Sequence, residues 1–500
     1  MKQLKNILLD IKKLESAASV LHWDQETYMP EGGGEFRAEV LAYLSLMEHQ
    51  MATGQKLKDE LSLQINYNSG DLVNITLNDE EKRMVELIRK DLKKRIALPD
   101  DFVEEMSKHT SATQQAWAKA RKAKDFSIYT PFLEKMIKMK KQEAEYLGYK
   151  EKPYDALLDG FEPGMTTASV EKLFGGLKKR LVKLVKEINK AKQIDDSILQ
   201  QSFDTDEQWK FGMKIATTMG LDMKHARQDV STHPFTIGFH PEDVRITTRL
   251  NDKMLLSGLF STIHESGHAI YEQGLPKKQF GTPLGEAASF GIHESQSRLW
   301  ENIIGRSREF WEYALPILKE HYPQIKEVKL EDWYHMVNVV KPSLIRVEAD
   351  EVTYSLHIML RFDMENMIIN GDVKVDDIPV LWNDKMEEYF GIQPKDDAEG
   401  VMQDVHWSFG GFGYFPSYAM GNLYGAQIME QAEKEIPKLW KKVSKGEFLP
   451  LKNWLNEKAH KHGRFYDPED LIKVITGAPL SPDPFMNYLE KKYTKIYNLK

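Results

Sequence analysis

The chain of 500 residues contains no cysteine. Disulfide bonds, a thiol nucleophile and thiolate metal sites are therefore excluded, which leaves histidine and carboxylate side chains as the strong metal ligands. The lack of cysteine is also typical of cytoplasmic proteins, and we predict that location.

Long apolar runs are also lacking, because no stretch of about 18 consecutive apolar residues occurs that could cross a bilayer. Near the start of the chain, Asp10, Lys12 and Lys13 interrupt the apolar residues before the core of a signal peptide could form. We therefore expect neither a membrane span nor a secretory signal, and the first residues are predicted to form an amphipathic helix.

Charge of one sign is not concentrated anywhere, because 68 Lys and Arg residues are interspersed with 76 Asp and Glu residues, for a net charge of −8. A protein that binds nucleic acid or an anionic membrane normally presents a basic patch, so we predict neither partner. A composition of 41% hydrophobic and 29% charged residues is that of a globular protein.

Apolar residues recur at the i, i+3, i+4 spacing of amphipathic helices through most of the chain, so the fold class is predicted to be mainly α. No repeat or linker marks a boundary, and residues 1–500 are predicted to form a single domain. Predicted helices beyond the first cover residues 35–64, 79–96, 100–122, 128–147, 169–190, 206–219, 252–273, 286–303, 345–370, 376–390, 417–433, 446–460 and 483–494.

One stretch, residues 233–250, breaks this pattern with β-branched and aromatic residues and two prolines. Residues 244–248 are predicted to form a strand. Because the stretch directly precedes the helix that carries the main motif, we expect an edge strand beside the functional cleft.

Within the predicted helix 252–273, residues 264–268 read His-Glu-Ser-Gly-His, an HExxH motif. A spacing of four places His264 and His268 on one helical face, where both imidazoles can bind one zinc ion, with Glu265 beside them. Zinc activates a bound water and polarises a peptide carbonyl, while the glutamate accepts a proton and later returns it. The motif indicates metal-assisted peptide hydrolysis; the alternative is a pair of ordinary hydrogen-bonded helix histidines.

The third protein ligand of the metal ion is not defined by the motif. A catalytic zinc normally has three protein ligands and a water, and the segment after the motif offers Glu286, His293 and Glu294 as the third ligand. The intervening loop is rich in proline and glycine, so spacing alone does not choose between them. Gly267 costs about 1 kcal/mol inside a helix, which predicts the close approach of another element.

Six ordered blocks resemble the signature blocks of the M32 metallocarboxypeptidases, the thermostable carboxypeptidase family. The blocks are residues 233–235 (HPF), 243–247 (DVRIT), 264–268 (HESGH), 293–296 (HESQ), 345–350 (IRVEAD) and 400–407 (GVMQDVHW). Residues 23–30 (WDQETYMP) and the chain length match as well, so the resemblance spans essentially the whole chain.

The resemblance implies a predominantly helical fold with a deep central groove and a small β-sheet, similar to neurolysin and angiotensin-converting enzyme. It also implies a homodimer that removes single amino acids from peptide C-termini with broad specificity, using zinc (Zn2+) or sometimes cobalt (Co2+). Carried over onto the matching positions, His264, His268 and Glu294 become the metal ligands, and Glu265 becomes the general base and acid.

A carboxypeptidase also needs a fixed cation that recognises the free C-terminal carboxylate of its peptide substrate, and arginine binds carboxylates bidentately. We choose Arg346, which follows Pro342 at a predicted helix start, ahead of the other arginines in or close to the blocks: Arg245, Arg249 and Arg298. The alternative is that Arg346 forms a structural salt bridge with a neighbouring acid: Glu348, Asp350 or Glu351.

Further site residues are assigned by their surroundings. His406 and Tyr418 flank a loop rich in glycine and aromatic residues, and either could donate a hydrogen bond to the oxyanion formed at the attacked carbonyl. His233 is expected to shape the cleft or to make a structural hydrogen bond. The principal alternative function is an oligopeptide endopeptidase of a related helical HExxH family, which would lack the carboxylate clamp; a non-catalytic helical scaffold is the other.

Overall fold

The computed structural model describes residues 1–371 and 373–499. Most of these residues are helical, which confirms the predicted fold class. None of the helices in this part of the chain is long and apolar enough to cross a membrane. The helices are α1 (Lys2–Thr27), α2 (Gly34–Thr53), α3 (Gln55–Ser62), α4 (Asp79–Ala97), α5 (Asp100–Ala123), α6 (Thr130–Leu147), α7 (Pro153–Leu158), α8 (Thr167–Lys190), α9 (Thr205–Met219), α10 (Leu255–Gly274), α11 (Phe290–Arg298), α12 (Arg308–His321), α13 (Leu330–Met336), α14 (Tyr354–Asn370), α15 (Ile378–Phe390), α16 (Phe415–Glu435), α17 (Leu439–Val443), α18 (Leu449–Lys458), α19 (Pro468–Thr476) and α20 (Asp483–Tyr497).

Two predicted helices differ from the observed ones because of single residues. The predicted helix 35–64 is divided at Gly54, whose extended backbone separates α2 from α3. The predicted helix 286–303 begins only at α11, because the Ser289 hydroxyl accepts the backbone N–H of Ile292 and caps the helix there. Beyond α11 the chain continues in a wider π turn over Leu299–Ile304. Five helices were not predicted: α7, α12, α13, α17 and α19.

The predicted helix 345–370 begins nine residues later, at Tyr354. The Asp350 carboxylate accepts the backbone N–H groups of Val352 and Thr353, so these groups are not available to a helix running through them. Arg346 lies instead in a short 3-10 turn, Arg346–Glu348. Its predicted place at a helix start was wrong.

A three-stranded sheet lies before α10, with strands β1 (Ala226–Val230), β2 (Thr236–His240) and β3 (Asp243–Thr248). The strand order is β1-β3-β2, with β1 parallel and β2 antiparallel to β3. The predicted strand 244–248 is confirmed as β3, but β3 is the central strand. The edge strand beside α10 is β2, which the sequence did not predict.

Two hydrophobic clusters fill the interior. The larger cluster includes the buried faces of α8, α10, α11, α14 and α16. The smaller one joins α1, α3 and α4 and takes Leu284 from the rest of the chain. A cleft with charged walls lies between the two clusters, lined by Lys12 and Asp91 on one side and by Glu286 and Arg464 on the other. The single domain expected over residues 1–500 stays a prediction.

Candidate metal centre and substrate cleft

Helix α10 contributes Ile263 and Ala269, the residues on either side of the HExxH motif, to the larger cluster, and within the motif Glu265 and Gly267 are buried. Gly267 explains how a second helix reaches the motif: a Cβ atom there would lie 2.7 Å from Cα of Ser297 and 2.8 Å from the carbonyl oxygen of Gln296, both on α11. The predicted close approach at Gly267 is confirmed. On the other side of α11, a Cβ at Gly421 of α16 would lie 2.8 Å from Cβ of Glu294. The two glycines thus allow α10 and α16 to pack closely against α11.

His264 and His268 project from one face of α10, with ring centroids 4.9 Å apart. Glu294 approaches them from α11, and its Oε2 lies 3.3 Å from Nε2 of His268 and 3.7 Å from Nε2 of His264. One ligand atom from each of the three residues lies within 4.8 Å of the others. Two imidazole nitrogens and one carboxylate oxygen form the donor set of many catalytic zinc sites, so these residues fit a divalent metal ion.

Glu301 and Arg298 support this group from behind. The Nδ1–H of His264 donates to Oε2 of Glu301 at 2.8 Å, which turns Nε2 of the same ring toward Glu294. Arg298 donates from Nε to Oε1 of Glu294 at 2.7 Å and from Nη1 to Oε2 of Glu301 at 3.3 Å. Glu301 was not among the candidates predicted from the sequence, although a spacing of seven residues from Glu294 is typical of two residues on one helical face.

The other two sequence candidates for the third ligand lie elsewhere. The ring of His293 stacks on His268 with centroids 4.4 Å apart, and its Nε2 lies 2.8 Å from Oε1 of Glu272. Glu286 points into the charged cleft, with Lys12 at 3.9 Å and Arg464 at 3.7 Å. Neither joins the group of three potential ligands.

The electrostatics of the group follow from burial and from its charged neighbours. Burial raises the pKa of the Glu294 carboxyl, but Arg298 and His264 outweigh it and hold that pKa well below its usual range. Burial and the neighbouring His293 lower the pKa of His268 to about 3. At neutral pH the carboxylate is therefore ionised and the His268 imidazole is neutral, which are the protonation states that bind metals.

Glu265 lies next to the two histidines and is almost fully buried. The hydroxyl of Thr236, on edge strand β2, donates to Oε2 of Glu265 at 2.6 Å. Burial raises the pKa of the Glu265 carboxyl, and His264 and Thr236 offset only part of this effect. A fixed carboxylate of raised pKa is suited to accept a proton from a neighbouring water.

A second charged cluster lies around Arg346, which is buried. Its Nε and Nη2 donate to Oδ1 of Asp404 at 3.0 and 2.8 Å, and Arg361 donates to Oδ2 of the same carboxylate at 2.6 Å. Because two guanidinium groups share one carboxylate, the cluster carries one excess positive charge. Tyr354 connects it to the candidate metal centre, since its hydroxyl accepts from Nη1 of Arg346 and its ring lies under Arg298.

The salt-bridge partner of Arg346 is thus Asp404, which lies 58 residues further along the chain. The alternative that the sequence offered, a bridge to one of the neighbouring acids Glu348, Asp350 and Glu351, was wrong about the partner. Pairs so distant in sequence cannot be read from local spacing.

His406 and Tyr418 both lie beside Arg346. The Arg346 guanidinium carbon is 5.2 Å from the Tyr418 ring centroid, and the rings of His406 and Tyr418 are 6.3 Å apart. Burial lowers the pKa of His406 to about 4, so its imidazole is neutral at neutral pH. His233 lies in an exposed loop between β1 and β2, where its backbone carbonyl accepts a hydrogen bond from Ser231.

The sequence and the fold both match known proteins. Residues 3–493 match the family model described as carboxypeptidase Taq (M32) metallopeptidase. Carboxypeptidase 1 of Bacillus subtilis is 39% identical over 500 residues, covering 100% of this chain and 99% of its own. Thermostable carboxypeptidase 1 of Thermus thermophilus is 40% identical over 97% of this chain and 96% of its own. The M32 carboxypeptidase of Deinococcus radiodurans R1 superimposes with a TM-score of 0.96 at 36% identity, over 100% of this chain and 99% of its own. The chain belongs to the M32 family of metallocarboxypeptidases.

Proposed function

We propose that this protein is a zinc-dependent carboxypeptidase that releases single amino acids from peptide C-termini with broad specificity. The observation that carries the proposal is the convergence of His264, His268 and Glu294 beside the carboxylate of Glu265. These three residues would hold the metal ion. When bound, the ion would lower the pKa of a water molecule and polarise the scissile carbonyl.

Glu265 is the general base and acid of this proposal. One of its carboxylate oxygens is fixed by the Thr236 hydroxyl, so the other is free to take the proton of the attacking water. The same carboxyl then delivers that proton to the leaving amine, which breaks the peptide bond and regenerates the base. Its raised pKa supports both steps, because the proton is held long enough to be passed on.

Arg346 binds the C-terminal carboxylate of the substrate. Of its five N–H donors, two bond Asp404 and one bonds Tyr354, which leaves one on each terminal nitrogen. Asp404 fixes the orientation of the guanidinium, and the excess positive charge supplied by Arg361 favours an anion in front of it. His406 or Tyr418, beside the same cluster, donates a hydrogen bond to the oxyanion.

An endopeptidase would use the same three metal ligands, but it would not need the excess positive charge of the Arg346 cluster, because it does not bind a free C-terminal carboxylate. Mass spectrometry of one peptide, digested with and without a chelator, separates the two. A carboxypeptidase yields a ladder of peptides shortened one residue at a time from the C-terminus, and the ladder disappears with chelator. Internal fragments would replace the proposal with the endopeptidase.

The Glu265→Gln variant tests the mechanism in the same assay. The amide cannot accept the proton, so the variant should bind metal like the wild type while turnover falls by roughly a hundredfold or more. Glu312→Gln, a surface glutamate of α12, is the matched control and should behave as wild type. Wild-type turnover by Glu265→Gln would assign the base to another residue.

Three further points rest on the resemblance or on composition. Reconstitution of the apoprotein with zinc or cobalt, followed by turnover measurements, tests the identity of the metal. The homodimer and the cytoplasmic location remain predictions, and sedimentation of the purified chain tests the first.

A further inference from the structure

A cavity of about 450 Å³ opens beside the candidate metal centre. His293 lines one end of the cavity, and its ring stacks directly on that of His268. The other end is formed by Glu286 and Arg464, and the aromatic rings of Phe161 and Phe290 lie between. Phe290 is 49% exposed, so its ring is open to contact with a ligand. The cavity therefore offers an apolar wall with a charged end.

The charge at that end is negative. Arg464 is held by both oxygens of Asp91, at 2.7 and 2.8 Å, and Lys12 is hydrogen-bonded to Glu15 at 3.1 Å. Each cation thus already has a carboxylate of its own. The other two cations that line the cleft, Lys94 and Arg95, pair with Asp159 and Glu48. Glu286 is thus the one carboxylate in excess over the cations, and this group of paired side chains has a net charge of −1.

Glu286 itself is left without a hydrogen-bond donor. Its two nearest cations lie at 3.7 Å (Arg464) and 3.9 Å (Lys12), beyond hydrogen-bond distance. No hydrogen bond to its carboxylate occurs among residues 1–371 and 373–499. Its side chain is 45% exposed to the cleft, so the carboxylate can be reached by a ligand.

Two groups of side chains that adjoin the candidate metal centre, one through Tyr354 and the other through His293, have opposite charge. The cluster of Arg346, Arg361 and Asp404 has an excess of one positive charge, whereas the group around Glu286 has an excess of one negative charge. A free C-terminal carboxylate is attracted to the first and repelled by the second. The cavity at Glu286 therefore suits the part of the peptide that precedes the scissile bond.

We propose that Glu286 binds a cationic group of the substrate upstream of the scissile bond, either a lysine or arginine side chain or the free amino terminus of a short peptide. This proposal rests on the proposed function. The rings of Phe161 and Phe290 would cover the aliphatic stem of such a side chain, and the carboxylate would receive its N–H donors.

The experiment compares peptides that differ by one charge. Amino-terminally acetylated peptides carry lysine or Nε-acetyllysine at the first, second or third position before the scissile bond, and kcat/KM is measured for each with the metal-loaded full chain. A second set compares free with acetylated amino termini in peptides of three to five residues. We expect a preference of roughly three- to thirtyfold for the charged form in at least one pair.

Variants assign that preference to one side chain. Glu286→Gln should reduce the ratio to near one while bound metal is unchanged, and Glu286→Lys should invert it in favour of the uncharged peptide. Glu86→Gln, a glutamate of α4 with 42% side-chain exposure that does not line the cavity, is the matched control and should keep the wild-type ratio.

The outcomes separate the two proposals. Failure of the wild type to release C-terminal residues from any peptide would remove the proposed function and this subsite with it. Normal release with no charge preference in any pair, or with a preference that Glu286→Gln leaves intact, would overturn the subsite alone. A preference confined to the side-chain pairs or to the free amino terminus identifies which cation is bound.

Discussion

The replacement of Gly267 by alanine is the sharpest test of how the metal centre is built. The added Cβ would lie 2.7 Å from Cα of Ser297 and 2.8 Å from the carbonyl oxygen of Gln296. Carbon atoms in contact are normally about 3.5–4.0 Å apart, so the Cβ is about 1 Å too close. Both obstacles are backbone atoms and cannot rotate away. Helices α10 and α11 must therefore separate by about 1 Å.

That displacement acts on the proposed metal ligands, because the two histidines lie on α10 and Glu294 lies on α11. Metal–ligand distances tolerate only about 0.2 Å, so we expect zinc affinity to fall by at least tenfold to a hundredfold. The overpacking should also destabilise the fold by about 1–3 kcal/mol, although alanine has the better helix propensity by about 1 kcal/mol.

Zinc affinity is measured by competition with a chelator, and stability by thermal melting of the metal-free protein. Gly176→Ala on α8 is the control, since no atom lies within 4 Å of a Cβ built there. It should raise stability by about 0.5–1 kcal/mol and leave zinc affinity unchanged. A Gly267→Ala protein that binds zinc within twofold of wild type and melts no lower would refute the reasoning.

Three further predictions concern single charged groups. Glu301→Gln should weaken zinc binding about tenfold to a hundredfold in the chelator assay, because it weakens the hydrogen bond that orients His264; unchanged affinity would count against that role. Arg346→Ala should keep zinc but erase most of the preference for free-acid over amidated peptides, which we expect to be roughly thirtyfold or more in kcat/KM; equal rates on both forms by the wild type would reject the clamp. Burial raises the pKa of Glu162 from 4.5 to about 7, so the folded chain holds a proton that the unfolded chain releases in this window, and stability falls as the pH rises through it. Between about pH 5 and about pH 8, the free energy of unfolding of Glu162→Gln should therefore fall by about 3 kcal/mol less than that of the wild type. Thermal melting at several pH values measures this, and the same pH dependence in both proteins would disprove it.

The parts of the site that could be predicted are those fixed by local helix geometry. A spacing of four placed His264 and His268 on one face, and a glycine inside an apolar helix indicated the contact with another helix. Both depend only on residues within a few turns. The resemblance then selected Glu294, which is the only one of the three candidates whose ligand atom groups with those of both histidines in the described part of the chain.

The parts that could not be predicted depend on side chains that bond to backbone groups or to distant residues. Ser289 and Asp350 both accept backbone N–H groups, and each moves the start of a helix toward the C-terminus. The Ser289 cap could have been found because serine is common at helix starts, and the turn at Asp350 because aspartate often accepts the N–H group two residues further on. The bond between Arg346 and Asp404 left no local signal, since only the folded chain brings the two together.

Net charge alone describes the electrostatics of the chain only coarsely, and the absence of a nucleic-acid or membrane partner stays a prediction. A value of −8 with interspersed signs argued against a polyanionic ligand, yet it could not show where single charges remain uncompensated. In the folded chain Arg346 and Arg361 share one carboxylate, whereas Glu286 lies between two cations that are already paired. The two groups differ by two elementary charges, and under the proposed function this difference would orient a peptide without changing the overall charge. The local charge beside the candidate metal centre therefore depends on which ion pairs form in the folded chain, and composition alone does not determine those pairs.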